Sequence, residues 1–420
     1  MKTISEAIVE IGELGQNDVT ITVAPGTYVD NVSINTSANP LPIGHTRKHL
    51  KLTIASSSTA ADTIINGNGA GPVFTIGPNA NVELDGLTIT NGIGGPVQDG
   101  TGGGGILING GSLKINSCVI SDNQAEYGAG IYANDTDLDI ENSSIIDNVG
   151  QGDGAQGGGI YYASAKARRL KIVNSTIDGN SASFSGGGIF LYGSVPKRSS
   201  AEIINSTISN NTTDNTTSNP AGGAGLDLVF AKLTVLNSTI SGNDAAGLAD
   251  KGGAIQTTLS DVSMDNVTVA NNSAGEGAGG IDANTLAGCI GCGRIKQKFV
   301  ISNTIIADNQ APLGPDCLSG LSAHQPIISA GYNLIGDPLD CVLNGQTNRD
   351  FEGDPLLGPL QNNGGTTATQ ALLPGSPAIG AGNPARPNED GRQGRCIATD
   401  QIGTPRPAGD CDIGAYQLPQ

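Results

Sequence analysis

The feature that most constrains this chain is a column of β-branched residues that returns at a nearly constant interval. Ile89, Ile120, Ile145, Ile177, Ile208, Ile240, Val269 and Ile306 follow one another at steps of 31, 25, 32, 31, 32, 29 and 37 residues. A period in this range belongs to a solenoid, in which each repeat buries an apolar face that it could not bury alone. Residues 170–192, LKIVNSTIDGNSASFSGGGIFLY, show the unit: an apolar alternation, Asn-Ser-Thr-Ile, an Asn three residues later, and a Gly-rich turn into a second apolar strand.

Counting back from the Asn of Asn-Ser-Thr-Ile defines two core columns. Four residues before it stand Val82, Leu113, Leu138, Leu170, Ala201, Leu233, Val262 and Phe299; two before it stand Leu84, Ile115, Ile140, Ile172, Ile203, Val235, Met264 and Ile301. Spacing of two puts both columns on one face of a strand, and stacking equivalent strands makes the sheet parallel. The outward position between them reads Glu83, Lys114, Asp139, Lys171, Glu202, a strict alternation of sign. Neighbouring coils lie about 4.8 Å apart, so the alternation opposes slippage and is expected to be structural. By the same parity Asn142, Asn174, Asn205, Asn237, Asn266 and Asn303 are expected to point inward and stack amide on amide. The second Asn column, Asn123, Asn148, Asn180, Asn211, Asn243, Asn272 and Asn309, is expected to occupy a turn.

Composition narrows what the solenoid can be. Sixty-three Gly, 3% aromatic residues and no Trp suit stacked aliphatic coils with tight turns rather than a large globular core. A net charge of −18 argues against general nucleic-acid or anionic-membrane binding while leaving room for a local basic patch, and no apolar run is long enough to span a bilayer. The start, MKTISEAIVEIGELG, has no signal-peptide core. Thr3 and Glu6 form a capping-box pattern and Ile4, Ala7, Ile8, Ile11 and Leu14 one apolar face, which predicts a short amphipathic helix closing the solenoid over residues 1–15. Coils follow over 16–310, and 311–420 forms a C-terminal region of final coils and disulfide-stapled loops. There the predicted disulfides are Cys317 with Cys341 and Cys396 with Cys411. Cys289 and Cys292 make either a third pair or half of a zinc site, although His is scarce and a second thiolate pair at metal spacing is missing.

The repeated Ile-x-x-Asn followed by GGGI or GGAI resembles the repeats of polymorphic outer-membrane proteins and of the pectate-lyase-like superfamily, over about residues 80–310. The resemblance implies an all-β fold, a right-handed parallel β-helix. Asp316-Cys317, Gly331-Tyr-Asn-Leu-Ile-Gly336, Asp354-Pro-Leu-Leu-Gly-Pro-Leu360, Asn363-Gly-Gly365, Ala371-Leu-Leu-Pro-Gly-Ser-Pro-Ala-Ile379 and Cys411-Asp-Ile-Gly-Ala-Tyr416 resemble the choice-of-anchor Q region of secreted bacterial surface proteins. The implied location is secreted or cell-surface, with signal peptide and anchor outside this sequence.

That class holds lyases, hydrolases, epimerases and adhesins, so fold alone selects none. A uronate lyase needs an Arg or Lys base beside carboxylates that hold calcium, and a hydrolase needs converging carboxylates. Asp147 and Asp178 stand in columns one residue apart, and Asp135, Asp137 and Asp139 lack the Gly of a calcium loop. Two candidates remain. The outward residue after the Gly turn reads Leu107, Tyr132, Tyr161, Phe190, Asp227, Gln256, Asp282; its aromatics, with Tyr192 nearby, could lie against sugar faces unless a loop or the C-terminal region covers them. Lys166, Arg168, Arg169, Lys197 and Arg198 form a basic edge suited to an anionic glycan, with Asp137 expected to engage Arg169. The expectation is adhesion or glycan contact at an extracellular glycan or a host or neighbouring cell surface, without cofactor. The alternative is a polysaccharide lyase or glycoside hydrolase on the same face, with calcium if a lyase.

Overall fold

Why the repeat closes into coils is visible in the computed structural model, which describes residues 3–14, 18–34, 50–194, 198–214, 222–247, 251–284, 297–320, 326–389 and 394–419. The protein is a right-handed parallel β-helix, the hand that parallel crossovers adopt. Each full coil visits four sheets in turn. Among the described residues these hold twelve, twelve, six and ten strands. Sheet 1 runs from Asp18–Val23 to Leu343–Gly345 and sheet 2 from Gly26–Val29 to Phe351–Glu352. Sheet 3 is a ribbon of two-residue strands from Gln124–Ala125 to Ser273–Ala274, and sheet 4 runs from Val32–Ile34 to Cys317–Leu318.

The register is that of the sequence columns. Leu113 pairs Leu138, Leu138 pairs Leu170 and Leu170 pairs Ala201, while Ile120, Ile145, Ile177 and Ile208 pair in series on sheet 2. All are buried in one continuous core. The helix Ile4–Leu14 caps the first coils, with Ile4 buried and Ile8 packed on the core. Its capping box is formed: the Thr3 backbone N–H donates to Glu6 Oε2 at 2.8 Å and the Glu6 N–H to Thr3 Oγ1 at 3.1 Å. The side chains of Ile11 and Leu14 lie outside the described set.

The two Asn columns exchange the roles expected of them. Asn142, Asn174, Asn205, Asn237, Asn266 and Asn303 have φ between 45° and 51° and turn the chain from sheet 1 to sheet 2. Period-two parity does not extend through a left-handed residue, so the column leaves the interior, and Asn142 is exposed. The second column is the buried ladder. Asn148 Nδ2 donates to Asn180 Oδ1 at 2.9 Å and to the Ile120 carbonyl at 3.0 Å, and Asn180 Nδ2 repeats this toward Asn211 Oδ1 at 3.0 Å and the Ile145 carbonyl at 2.9 Å. The series continues to Asn309, whose N–H and Nδ2 both donate to Asp316 Oδ1. A Ser ladder runs beside it: the N–H groups of Ser143, Ser175 and Ser206 donate to the hydroxyls of Ser175, Ser206 and Ser238. Asn-Ser-Thr-Ile thus encodes a turn, a buried hydroxyl, an intervening Thr and a core residue.

Past residue 310 the coils continue to Phe351–Glu352. The chain then folds back through the hairpin Leu357–Gln361 with Thr369–Leu372 and lies along the corner between sheets 1 and 2. Gln401 is buried there, its Nε2 donating to Thr207 Oγ1 at 2.9 Å while its Oε1 accepts from Thr239 Oγ1 at 2.7 Å. Arg406 reaches Asn237, and Ile397 N–H donates to Asn266, which is why the turn Asn residues become buried in these coils. The predicted disulfides Cys317–Cys341 and Cys396–Cys411 are both formed. Cys289 and Cys292 lie outside the described residues.

Candidate functional site

Sheet 3 meets sheet 4 at a sharp elbow made by the Gly-rich turns. At Gly128, with φ +57°, a Cβ would collide with the Ile131 carbonyl, so only glycine lets the chain double back this tightly. The first outward residue beyond the turn then lines the elbow, and register sets Leu107, Tyr132, Tyr161, Phe190, Asp227, Gln256 and Asp282 in one row.

The aromatic part of the row stacks at the coil spacing. Tyr132 and Tyr161 are 5.1 Å apart and inclined by 4°, and Tyr161 and Phe190 are 5.3 Å apart at 23°. This corrects the expectation that the rings offer their faces to a sugar, because the faces are spent on one another along the helix axis. Phe190 is only 5% exposed and offers no contact surface. The cover on Tyr132 is local: in the hairpin Gly95–Val97 with Gly100–Gly102, the backbone of Gly102 lies against the Tyr132 ring and Gly95 against Leu107. The C-terminal region makes its contacts on the other corner.

Tyr132 and Tyr161 are half-buried, and among the described residues their hydroxyls have no protein hydrogen-bond partner. Burial, then the Asp99 charge, raises the Tyr132 phenol above its usual value; burial, then neighbouring Tyr132, raises Tyr161 further. Tyr127, which the sequence analysis missed, leans on Tyr161 at 5.4 Å and 59°. It sits before the Gly turn rather than after it, so only the elbow brings it into the row. Tyr192, 41% exposed, stands two residues beyond Phe190 and edge-on to Phe230 at 6.5 Å.

The basic edge is matched within the solenoid. Lys166 pairs Asp135 at 3.0 Å, Arg168 pairs Asp137 at 2.6 Å and Arg169 pairs Asp139 at 2.9 Å. Against expectation, Asp137 takes the guanidinium of Arg168, and only the backbone N–H of Arg169, whose own guanidinium reaches Asp139. Arg198 reaches Asp261 at 2.7 Å, and Lys197 lies outside the described residues. The three aspartates that mimic a calcium loop are therefore ion-pair partners of the next coil.

Beyond Phe190 the row continues through Asp227, Gln256 and Asp282, all buried. Asp227 accepts the Ser185 hydroxyl, and burial foremost raises its carboxyl to about 7 despite that bond. Asp147 and Asp178 stand in different columns, with Asp178 in register with Ile146. Among the described residues no group of three or more His, Cys, Asp or Glu side chains is placed to hold a metal ion.

Comparison with family models agrees on the architecture. A family model described as "Right handed beta helix region" matches residues 26–213, and one described as "DGF-1 beta-sheet domain" matches residues 148–284. Among solved structures, the A-module of the mannuronan C-5 epimerase AlgE4 of Azotobacter vinelandii is similar, with 12% identity, a TM-score of 0.41, and coverage of 83% of this chain and 91% of that one. No curated protein sequence matches.

Proposed function

We propose that this is a secreted or surface-displayed bacterial β-helix that contacts glycans through the elbow between sheets 3 and 4. The observation that carries the reading is the row of half-buried tyrosines whose hydroxyls have no protein partner among the described residues, flanked by exposed Tyr192. Buried phenols normally find a partner, and a ligand hydroxyl would supply it. Two disulfides and the resemblance of the C-terminal region to choice-of-anchor Q proteins support the extracellular setting. Tyr132→Phe with Tyr161→Phe keeps the stack and removes both hydroxyls; affinity for a glycan-array ligand should fall about 10-fold. Unchanged binding by the folded double variant would refute the reading.

A second reading, a polysaccharide lyase or glycoside hydrolase, is favoured by Asp227, a carboxyl raised to about 7 and two coils from Asp282. Two coils separate the backbones by about 9.6 Å, just beyond the roughly 6.5–9.5 Å between the carboxyl groups of inverting glycosidases. Both carboxylates are covered, which ranks this reading second; its lyase form would call on calcium. Incubation with pectins, alginates and glycosaminoglycans, following unsaturated products and new reducing ends, decides it: turnover that Asp227→Asn abolishes would establish the enzyme.

A further inference from the structure

A second concave site lies at the corner between sheets 2 and 3, at the foot of the same hairpin. It is a cleft of about 350 Å³ lined by Asn66, Asn68, Asn91, Ile93, Asp122 and Gln124, at the small end of the roughly 300–1,000 Å³ range of ligand sites. Its chemistry differs from the elbow: four amides, one carboxylate and one apolar side chain, with no ring and no cation among its lining residues.

The amides divide into anchored and uncommitted groups. Asn66 Oδ1 accepts the Asn68 backbone N–H at 2.8 Å, and Gln124 Oε1 accepts from Gln151 Nε2 at 2.7 Å, so each keeps its NH2 for another partner. Among the described residues nothing bonds the side-chain amides of Asn68 and Asn91. Farther along the same corner the corresponding amide is committed, since Asn210 Nδ2 donates to Asp178 at 2.8 Å. The floor is held rigidly: Gly69 N–H donates to the Asn91 carbonyl at 2.8 Å, and Gly92 N–H to Asn123 Oδ1, the first member of the buried ladder, at 2.9 Å. Ile93 stands 39% exposed at the rim.

We infer that this cleft binds one or two units of an uncharged saccharide. Sugar hydroxyls both donate and accept, which fits amide NH2 donors beside the Asp122 carboxylate, while Ile93 can meet a pyranose C–H face. Charge excludes the uronate alternative. Asp122 lies in the cleft and Asp147 on the next coil, where burial, then Asp122, then Asp178 raise its carboxyl; an added carboxylate would enter an already negative corner on a protein of net charge −18. The preformed floor lowers the ordering cost of binding.

The inference stands apart from the tyrosine row, and one experiment separates them. The full chain carrying labelled Ile δ1 methyls, with the Ile93 signal assigned by Ile93→Val, is titrated with cellotriose, mannotriose, xylotriose and trigalacturonate. At least one neutral trisaccharide should shift the Ile93 methyl saturably, and trigalacturonate should not. Asn68→Gly with Asn91→Gly removes two amides at left-handed positions that glycine accepts, φ 53° and 55°, and should weaken that titration at least 10-fold. Tyr132→Phe should leave it within twofold, whatever it does to array binding. No shift with any neutral probe, an equal shift with trigalacturonate, or an unchanged titration in the double glycine variant would overturn the inference.

Discussion

At the residue scale, two Asn columns that look alike in sequence differ in what their loss should cost. Asn180 is buried and bonds Asn211 and the Ile145 carbonyl, whereas Asn174 is partly exposed and is needed for its φ of 49°. Asn180→Leu leaves buried carbonyl and amide partners unmet and should cost about 3 kcal/mol; Asn174→Gly should stay within about 0.5 kcal/mol. Urea unfolding of both variants checks the contrast. Asp227 supplies a pH signature. Its folded carboxyl at about 7 lies well above the usual aspartate range, so the folded state holds the proton more tightly. Its contribution to stability is complete below about pH 4 and is lost as pH rises through about 7. Tm should therefore fall between about pH 4 and 7, and Asp227→Asn should flatten that fall. Asp265, also raised to about 7 by burial, titrates in the same window, so the difference between parent and variant is the quantity to read.

At the element scale, sheet 1 is held in register by charge as well as by core. Lys114 lies 3.5 Å from Glu83 on one neighbouring coil and 3.6 Å from Glu141 on the other. Lys114→Glu replaces two attractions by repulsions and should lower stability by about 1–2 kcal/mol, less at high salt. Thermal unfolding at two ionic strengths is the check. Sheets 1, 2 and 4 were legible because their strands are long enough to alternate. Sheet 3 was not, because two-residue strands such as Gln124–Ala125 carry no period. The aromatic row was legible as a row for the same reason, but not its orientation: alternation places Tyr132 outside without saying whether its face or its edge meets solvent. Tyr127 was invisible, since the elbow joins it to Tyr161 across a turn.

For the whole molecule, the C-terminal segment acts as a clamp along one corner, tied to coils far from it in sequence through Gln401, Arg406 and Ile397. The Cys396–Cys411 disulfide closes a separation of 15 residues within it. Replacing both cysteines by serine should cost about 3 kcal/mol and speed limited proteolysis of residues 394–419, while the coils before residue 200 stay protected. By itself the sequence determined the solenoid, its parallel register, its capping helix and the pairing of four cysteines, because each is written in spacing along the chain. Only the tertiary structure decided which Asn column is buried, which corner the C-terminal segment covers, and that Phe190 is sealed while the amides at Asn68 and Asn91 stay open. Those outcomes depend on where the chain turns and on which distant segment arrives, and neither is a property of local period.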